Sequence, residues 1–419
     1  MYQVIRNTKY DYIGQSYASL YPNLHKYPAT MLPQIGIDIL KEFDATKGSL
    51  LDPYCGSGSS FVSGLECGLT KMQGFDVNPL AVLISKVKFT KIPISELIEK
   101  KQTFRSSVFE FLKNENNLSK LLHPQITNID FWFSQDVINK LIIIKHFIDE
   151  IKNINVRNFF LVPFSEVVRE CSYARNNEFK LFRIKSDELL NFNPDVVSVY
   201  LKKRNDIFLI YSNFYFPKIK NDSNINVRCA QFQSQNESFD VVLTSPPYGD
   251  SRTTVAYGQF STLSNEWLGI SFARKIDRML MGGVKSKSNI VHGVIADSIS
   301  QISKVDNNRA LEVSSFYKDL DISIINVANS VRKGGKVMYI VGNRTVKNIK
   351  LPTDQFVAER FEAYVFKHIV TYERVLSNKV MPSKNSPTNK AGKAVNTMLY
   401  ELIVVCEKRH MVKLNTCTT

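Results

Sequence analysis

The segment Thr244-Ser-Pro-Pro-Tyr248 puts a hydroxyl, two consecutive prolines and an aromatic ring directly after the apolar, β-branched run at 239–243. That run reads as a buried strand. Two prolines in succession remove two backbone donors and fix two φ angles, which makes a rigid turn rich in carbonyl acceptors. One chemistry suits such a turn. The lone pair of an exocyclic amine on a nucleobase is delocalised into the ring, so the amine is a poor nucleophile. Acceptors that hold its N–H bonds out of the ring plane would localise that pair. Ser245 offers a hydroxyl, and Pro246 offers a carbonyl whose direction is fixed by Pro247. This is electrostatic preorganisation by fixed dipoles. Tyr248 could stack on a base swung out of a duplex. A methyl donor in line with the amine would complete an amino-group methylation.

The place for such a donor is the stretch LLDPYCGSGSS, where a strand ends at Asp52 and a helix begins at Ser59 or Ser60. Gly56 and Gly58 let the backbone turn tightly and a ligand come close. The pattern is neither G-x-G-x-x-G nor a phosphate loop ending in Gly-Lys-Ser/Thr. A second strand closes at Asp76, in GFDVNP, where an acid is placed to accept two ribose hydroxyls. Alone, the glycine turn reads as an ordinary strand-to-helix loop and Asp76 as a surface turn residue. Together they describe a site for an adenosine-type ligand without a phosphate-loop lysine.

The elements that must position these residues follow from the hydrophobic pattern. Helical and strand-like segments alternate from residue 35, and Asn78 and Pro79 supply the cap and first turn of a helix. Such alternation predicts a parallel sheet with helices on both faces. The rhythm breaks between about 95 and 222, where long helical patterns such as VINKLIIIKHFIDEIKNI predict a mainly helical insert. It resumes near FDVVLT. A helix then leads through Gly334 and Gly335 into the strand KVMYIVG, and two late strand-like runs predict an antiparallel pair at the sheet edge. The expected organisation is 1–95, 96–222 and 223–410, with a tail at 411–419.

The chain has 419 residues and a net charge of +15. That charge fits a polyanionic partner, most simply nucleic acid. No apolar run approaches the ~18 residues of a membrane span, and the start MYQVIRNTKYDY has no signal-peptide core. No membrane association and a cytoplasmic location are expected. The six cysteines form no close C-x-x-C pair, so neither a zinc site nor a disulfide framework is expected. Cys67 and Cys406 read as buried thiols.

DPYCGSGSS, FDVNP and TSPPY resemble the signature motifs of the S-adenosylmethionine-dependent DNA amino-methyltransferases, which modify N4 of cytosine or N6 of adenine. The Ser-Pro-Pro-Tyr form is more typical of the N4-cytosine branch. HKYPATMLPQIG resembles the N-terminal cofactor-side motif of that family, with Tyr27 and Pro28 matching, and NKVMPSKNSPTN resembles a late loop found in a subset of it. The resemblance covers residues 20 to 95 and 225 to 410. It implies a Rossmann-like class I methyltransferase fold, with a mostly parallel seven-stranded sheet and an antiparallel edge strand. It implies S-adenosylmethionine held by Tyr27, Pro28, Asp52, Pro53, Tyr54, Cys55, Gly56, Ser57, Gly58, Asp76, Val77, Asn78 and Thr244. Ser245, Pro246, Pro247 and Tyr248 would be catalytic, with no metal. Two departures stand out. Tyr54 replaces the usual Phe, and Cys229, Ala230 and Gln231 lie where many relatives carry an acid against the adenine edge.

The resemblance also implies double-stranded DNA as substrate and a cognate restriction endonuclease acting on the same site. Target recognition would fall to the insert, helped by 250–312. Its arginine-containing stretches 167–183 and 201–205 could touch phosphates or bases, although solvated surface charge is the more ordinary role for any one arginine. Arg252, Lys285, Lys287, Arg344, Lys379 and Asn385 are the nearer DNA-contact candidates. Competing readings are an N6-adenine enzyme, an RNA amino-methyltransferase and a nucleic-acid-binding protein with a dead site. A C5-cytosine enzyme is set aside because the chain has no Pro-Cys nucleophile.

Overall fold

The computed structural model describes residues 1–15, 20–28, 30–113, 115–235, 237–249, 255–376, 384–385, 395–396 and 399–409. Its main sheet has eight strands: β1 (Val4–Arg6), β2 (Ser49–Asp52), β3 (Lys71–Asp76), β4 (Asn224–Cys229), β5 (Phe239–Thr244), β6 (Val331–Val341), β7 (Phe366–Val375) and β8 (Tyr400–Lys408). They lie in the order β1-β7-β8-β6-β5-β2-β3-β4. β8 is antiparallel to both of its neighbours, and every other pairing is parallel.

The expected α/β fold is therefore present, with two adjustments at one edge. The antiparallel strand lies inside the sheet, because β7 covers it and β1 covers β7. β1 escapes sequence reading because all three of its residues are exposed and carry no alternation. The first of the late strands also starts earlier than expected. β6 begins at Val331 and contains Gly334 and Gly335, which sit at a register shift against β5.

Side-chain alternation explains why the sheet is covered on both faces. Leu50, Met338, Ile340, Ile403 and Val405 point into one core. Leu51, Val337, Tyr339, Leu402 and Val404 point into the other. Helices α1 (Pro33–Glu42), α2 (Ser59–Glu66) and α3 (Pro79–Phe89) cover the first face. The insert contributes α4 (Ile94–Leu112), α5 (Gln135–Asp149), α6 (Ile154–Glu170) and α7 (Val196–Ile210). Their apolar sides, including Phe104, Leu141, Phe160 and Tyr200, join that same core, as does α8 (Tyr257–Trp267). Helices α9 (Ala296–Val305), α10 (Asn307–Ser330) and α11 (Thr353–Ala363) cover the second face. Cys406 is buried as expected, whereas Cys67 at the end of α2 is only half-buried.

The sheet order reverses between β2 and β5. β3 and β4 continue outward from β2, and β6 continues from β5. Ligands of doubly wound sheets bind at such a switch point, beyond the strand C-termini.

Candidate functional site

A cleft of about 940 Å³, counting space open to solvent, occupies that switch point. The end of β2 and the loop after it supply Asp52, Pro53, Tyr54, Cys55, Gly56 and Ser57, and the end of β3 and the residue after it supply Asp76 and Val77. Tyr27 and Pro28 close one side, and Ser245 and Pro247 enter from the end of β5. The two ends of the sequence pattern thus meet in one cavity. Gly58 lies just outside it at the N-terminus of α2, with φ +86°, where a β-carbon would collide with the ring of Phe89 and the hydroxyl of Ser85. A β-carbon on Gly56 would meet nothing within 4 Å, so that part of the loop is open to a ligand.

Two carboxylates organise the floor. Asp52 is buried and accepts from the Thr244 hydroxyl at 2.5 Å, the Tyr54 amide at 3.0 Å and the Ser60 hydroxyl. Burial pushes its carboxyl up to about 6. Asp76 accepts from the Asn78 and Gly56 amides at 2.8 and 3.0 Å, and burial pushes it too up to about 6. Thr244 lies outside the cleft lining and acts on it through Asp52.

Asn78 has a different place from the one expected of a ligand-contact residue. It is fully buried behind the wall. It caps α3 through the Leu80 amide, and its Nδ2 donates to Tyr27 Oη and Ser261 Oγ at 3.0 Å each. Asn265 Nδ2 donates to its Oδ1 at 3.1 Å. This hub fixes the Tyr27 ring, which stacks on Tyr257 with centroids 6.0 Å apart and planes 23° apart. Desolvation raises both phenol groups well above their ordinary range.

Tyr257 escaped sequence reading, as did the apolar lip Met279, Leu280 and Met281. Neither carries a local motif, and tertiary packing alone brings them to the cleft. Ala230 and Gln231 after β4 also line it, at the position where the acid of many relatives is missing.

Within the turn, Ser245 and Pro247 face the cleft, whereas Pro246 and Tyr248 are not part of its lining. Ser245 Oγ donates to Tyr248 Oη at 3.3 Å. The turn ends at Gly249, where a β-carbon would collide with the guanidinium of Arg344. Arg344 is therefore packed against the turn. Lys285 and Lys287 are exposed on the segment that follows the lip. Asn385 lies in a two-residue strand opposite Val395, and Arg252 and Lys379 fall outside the described residues. The insert arginines divide. Arg169 is buried and donates to the carbonyls of Phe260 and Glu178, and Arg204 is buried against the Lys101 carbonyl. Their charges are spent on the interior.

A switch-point cleft lined by a glycine loop, the Asp76 carboxylate and residues of a Ser-Pro-Pro-Tyr turn fits a Rossmann-like methyltransferase fold. No family model matches the chain. It is 39% identical over 408 residues to the type II methyltransferase M.MvaI of Kocuria varians, covering 91% of this chain and 89% of that protein. It is 31% identical over 91 residues to the type II methyltransferase M.MjaII of Methanocaldococcus jannaschii, covering 22% of this chain and 17% of that one. The chain belongs to the type II DNA methyltransferase family. Among the described residues no helix is long and apolar enough to cross a membrane.

Proposed function

We propose that this protein transfers a methyl group from S-adenosylmethionine to the exocyclic N4 amine of cytosine within a specific site in double-stranded DNA, as the modification member of a restriction–modification pair in the cytoplasm. The observation that carries this reading is the shared cleft: Ser245 and Pro247 open into the same cavity as Gly56 and Asp76.

The residues present fit the cofactor. Asp76 presents a carboxylate at ribose height, the open face at Gly56 leaves room for the methionine portion, and Tyr27, Val77 and Tyr257 offer apolar walls. S-Adenosylmethionine supplies an electrophilic methyl group on its sulfonium. Ser245 Oγ and the Pro246 carbonyl accept the two N–H bonds of the amine, draw them out of the ring plane and leave its lone pair facing the donor. Tyr248 presents its ring to the extruded base. The basic residues Lys285, Lys287 and Arg344 meet phosphate, and Arg252, Lys379 and Asn385 are further candidates for contact with DNA. The insert at 96–222 reads the sequence. A cognate endonuclease cuts the same site when it is unmodified.

Nucleoside mass spectrometry on DNA from cells expressing the chain, against cells expressing Ser245→Ala, tests this. N4-methylcytosine only in the former is the expected result. N6-methyladenine would move the substrate to adenine, and no new methylated base in DNA would overturn the reading.

A further inference from the structure

Ser245 is the first member of a chain of polar groups that ends on a buried ion pair. Its Oγ donates to Tyr248 Oη at 3.3 Å, and Tyr248 Oη donates to Glu401 Oε1 at 3.0 Å. Arg374 Nη1 donates to the other oxygen, Glu401 Oε2, at 2.6 Å. Glu401 and Arg374 stand opposite each other in register across β8 and β7, and are 6% and 2% exposed. The topology explains how a residue 153 positions from Tyr248 reaches the turn. β8 is the strand that runs backwards in the sheet, so its first residues lie at the end where β5 finishes.

The direction of this chain is set at its far end. A carboxylate clamped by a guanidinium only accepts, so the Tyr248 hydroxyl proton is committed to Glu401. The Tyr248 oxygen is then the acceptor of the Ser245 proton. Among the described residues nothing donates to Ser245 Oγ, so its lone pairs face the cleft. Were its proton turned into the cleft instead, it would face the N–H bonds of an amine donor to donor. A buried ion pair is a poor source of net stability compared with apolar residues of the same volume. Its position at the end of this relay gives it another use.

We infer that Glu401, held by Arg374, is a positioning residue that sets the direction of the Ser245 hydroxyl through Tyr248. The inference rests on the reading in which Ser245 receives the target amine.

The test compares kcat of the purified full chain at saturating S-adenosylmethionine and DNA with the cofactor Kd of the free enzyme. Glu401→Gln keeps the shape of the side chain and removes its charge. Tyr248→Phe keeps the ring and the ion pair and removes only the linking hydroxyl. Both variants should lower kcat by about ten- to hundredfold, the effect of one charge-assisted hydrogen bond, while the cofactor Kd stays within about twofold. In a Ser245→Ala background, where there is no hydroxyl left to orient, Tyr248→Phe should add no further loss. Wild-type kcat in either single variant, or a full additional loss in the Ser245→Ala background, overturns the inference. Should Glu401→Gln fail to fold, Tyr248→Phe carries the test alone. If Ser245→Ala itself keeps wild-type kcat, the parent reading falls. If Ser245→Ala is slow and Tyr248→Phe is not, only the positioning role falls.

Discussion

The Thr244 hydroxyl donates to Asp52 Oδ1 across 2.5 Å and so joins the last residue of β5 to the last residue of β2. The turn that holds Ser245 and the loop that holds Gly56 grow from these two residues, so this bond sets the spacing between the two halves of the cleft. Burial raises the Asp52 carboxyl to about 6, against three hydrogen bonds that lower it. Thr244→Val removes one of those bonds with little change of volume. It should cost about 1.5–3 kcal/mol at pH 8, the range for a hydrogen bond to a charged group. At pH 5, below the raised value, Asp52 is protonated and the loss should be smaller. Urea unfolding at the two pH values decides this. An equal loss at both would mean that the bond does not serve the charge.

Asp76 gives a second pH dependence, in ligand binding. Its carboxyl is raised to about 6, chiefly by burial, in the ligand-free protein. A folded value above the ordinary carboxylate value means that this group's stabilising contribution is present at low pH and is lost as pH rises through about 6. In the proposed cofactor complex, the ionised form would accept from two ribose hydroxyls. S-Adenosylmethionine affinity should therefore rise with pH through about 6 and level off above it. Asp76→Asn should flatten that curve, weaken binding at pH 8 by about ten- to a hundredfold, and raise the thermal midpoint of the free protein at pH 8. Calorimetric titration and melting scans on the same samples measure both. A lowered midpoint would show that the two amide bonds to Asp76 outweigh the cost of its buried charge.

The Asn78 hub is a packing element with a functional consequence. Its amide satisfies Tyr27, Ser261, Asn265 and the Leu80 amide without exposure to water. Asn78→Leu would remove the partner of the Tyr27 hydroxyl, the Asn265 amide and the Leu80 amide in the interior, while Ser261 keeps its bonds to the Tyr257 and Gly258 carbonyls, at a cost of about 2–5 kcal/mol. Asn78→Asp keeps the cap but replaces a donor with an acceptor opposite Tyr27 and Ser261, whose hydroxyls can turn to donate. The aspartate variant should fold and bind cofactor more weakly, whereas the leucine variant should melt at a clearly lower temperature. Circular dichroism melts separate the two. Matching melts would remove the hub from the account of how Tyr27 is held.

Much of the wall of this cleft formed after β2 and β3 was legible in the sequence because its signals are local. Gly56 and Gly58 announce a tight turn between a strand and a helix, Asp76 closes a strand, and two prolines after a β-branched run are costly enough to be informative. The opposite wall was not legible. Tyr257 and Met279–Met281 carry no periodic or motif signal, and only the packing of α8 and the segment after it brings them in. Glu401 lies at the start of an ordinary apolar strand, and its position depends on β8 running backwards between β6 and β7. β1 went unseen because an exposed strand of three residues has no hydrophobic pattern to read. Arg169 and Arg204 show the reverse failure. Their composition read as surface charge, and the fold spends both on interior carbonyls.

The net charge of +15 makes DNA affinity the last quantity that can be predicted. Each phosphate contact releases condensed counterion, so the logarithm of the binding constant falls linearly with the logarithm of salt, by about 0.9 for each contact on duplex DNA. Lys285 and Lys287 are exposed beyond the apolar lip, and neither is bound into an ion pair among the described residues. If both meet phosphate, Lys285→Ala together with Lys287→Ala should flatten that slope by about 2 and weaken binding by a similar factor on specific and unrelated duplexes. Arg344 differs in being packed against the turn at Gly249. Arg344→Ala should lower kcat as well as affinity, since it removes the side chain against which that turn is set. Fluorescence anisotropy across a salt series, paired with turnover measurements, separates the two effects. An unchanged slope in the double lysine variant would place the phosphate track on another face of the protein, and an Arg344→Ala enzyme with wild-type kcat would reduce that arginine to a contact in binding alone.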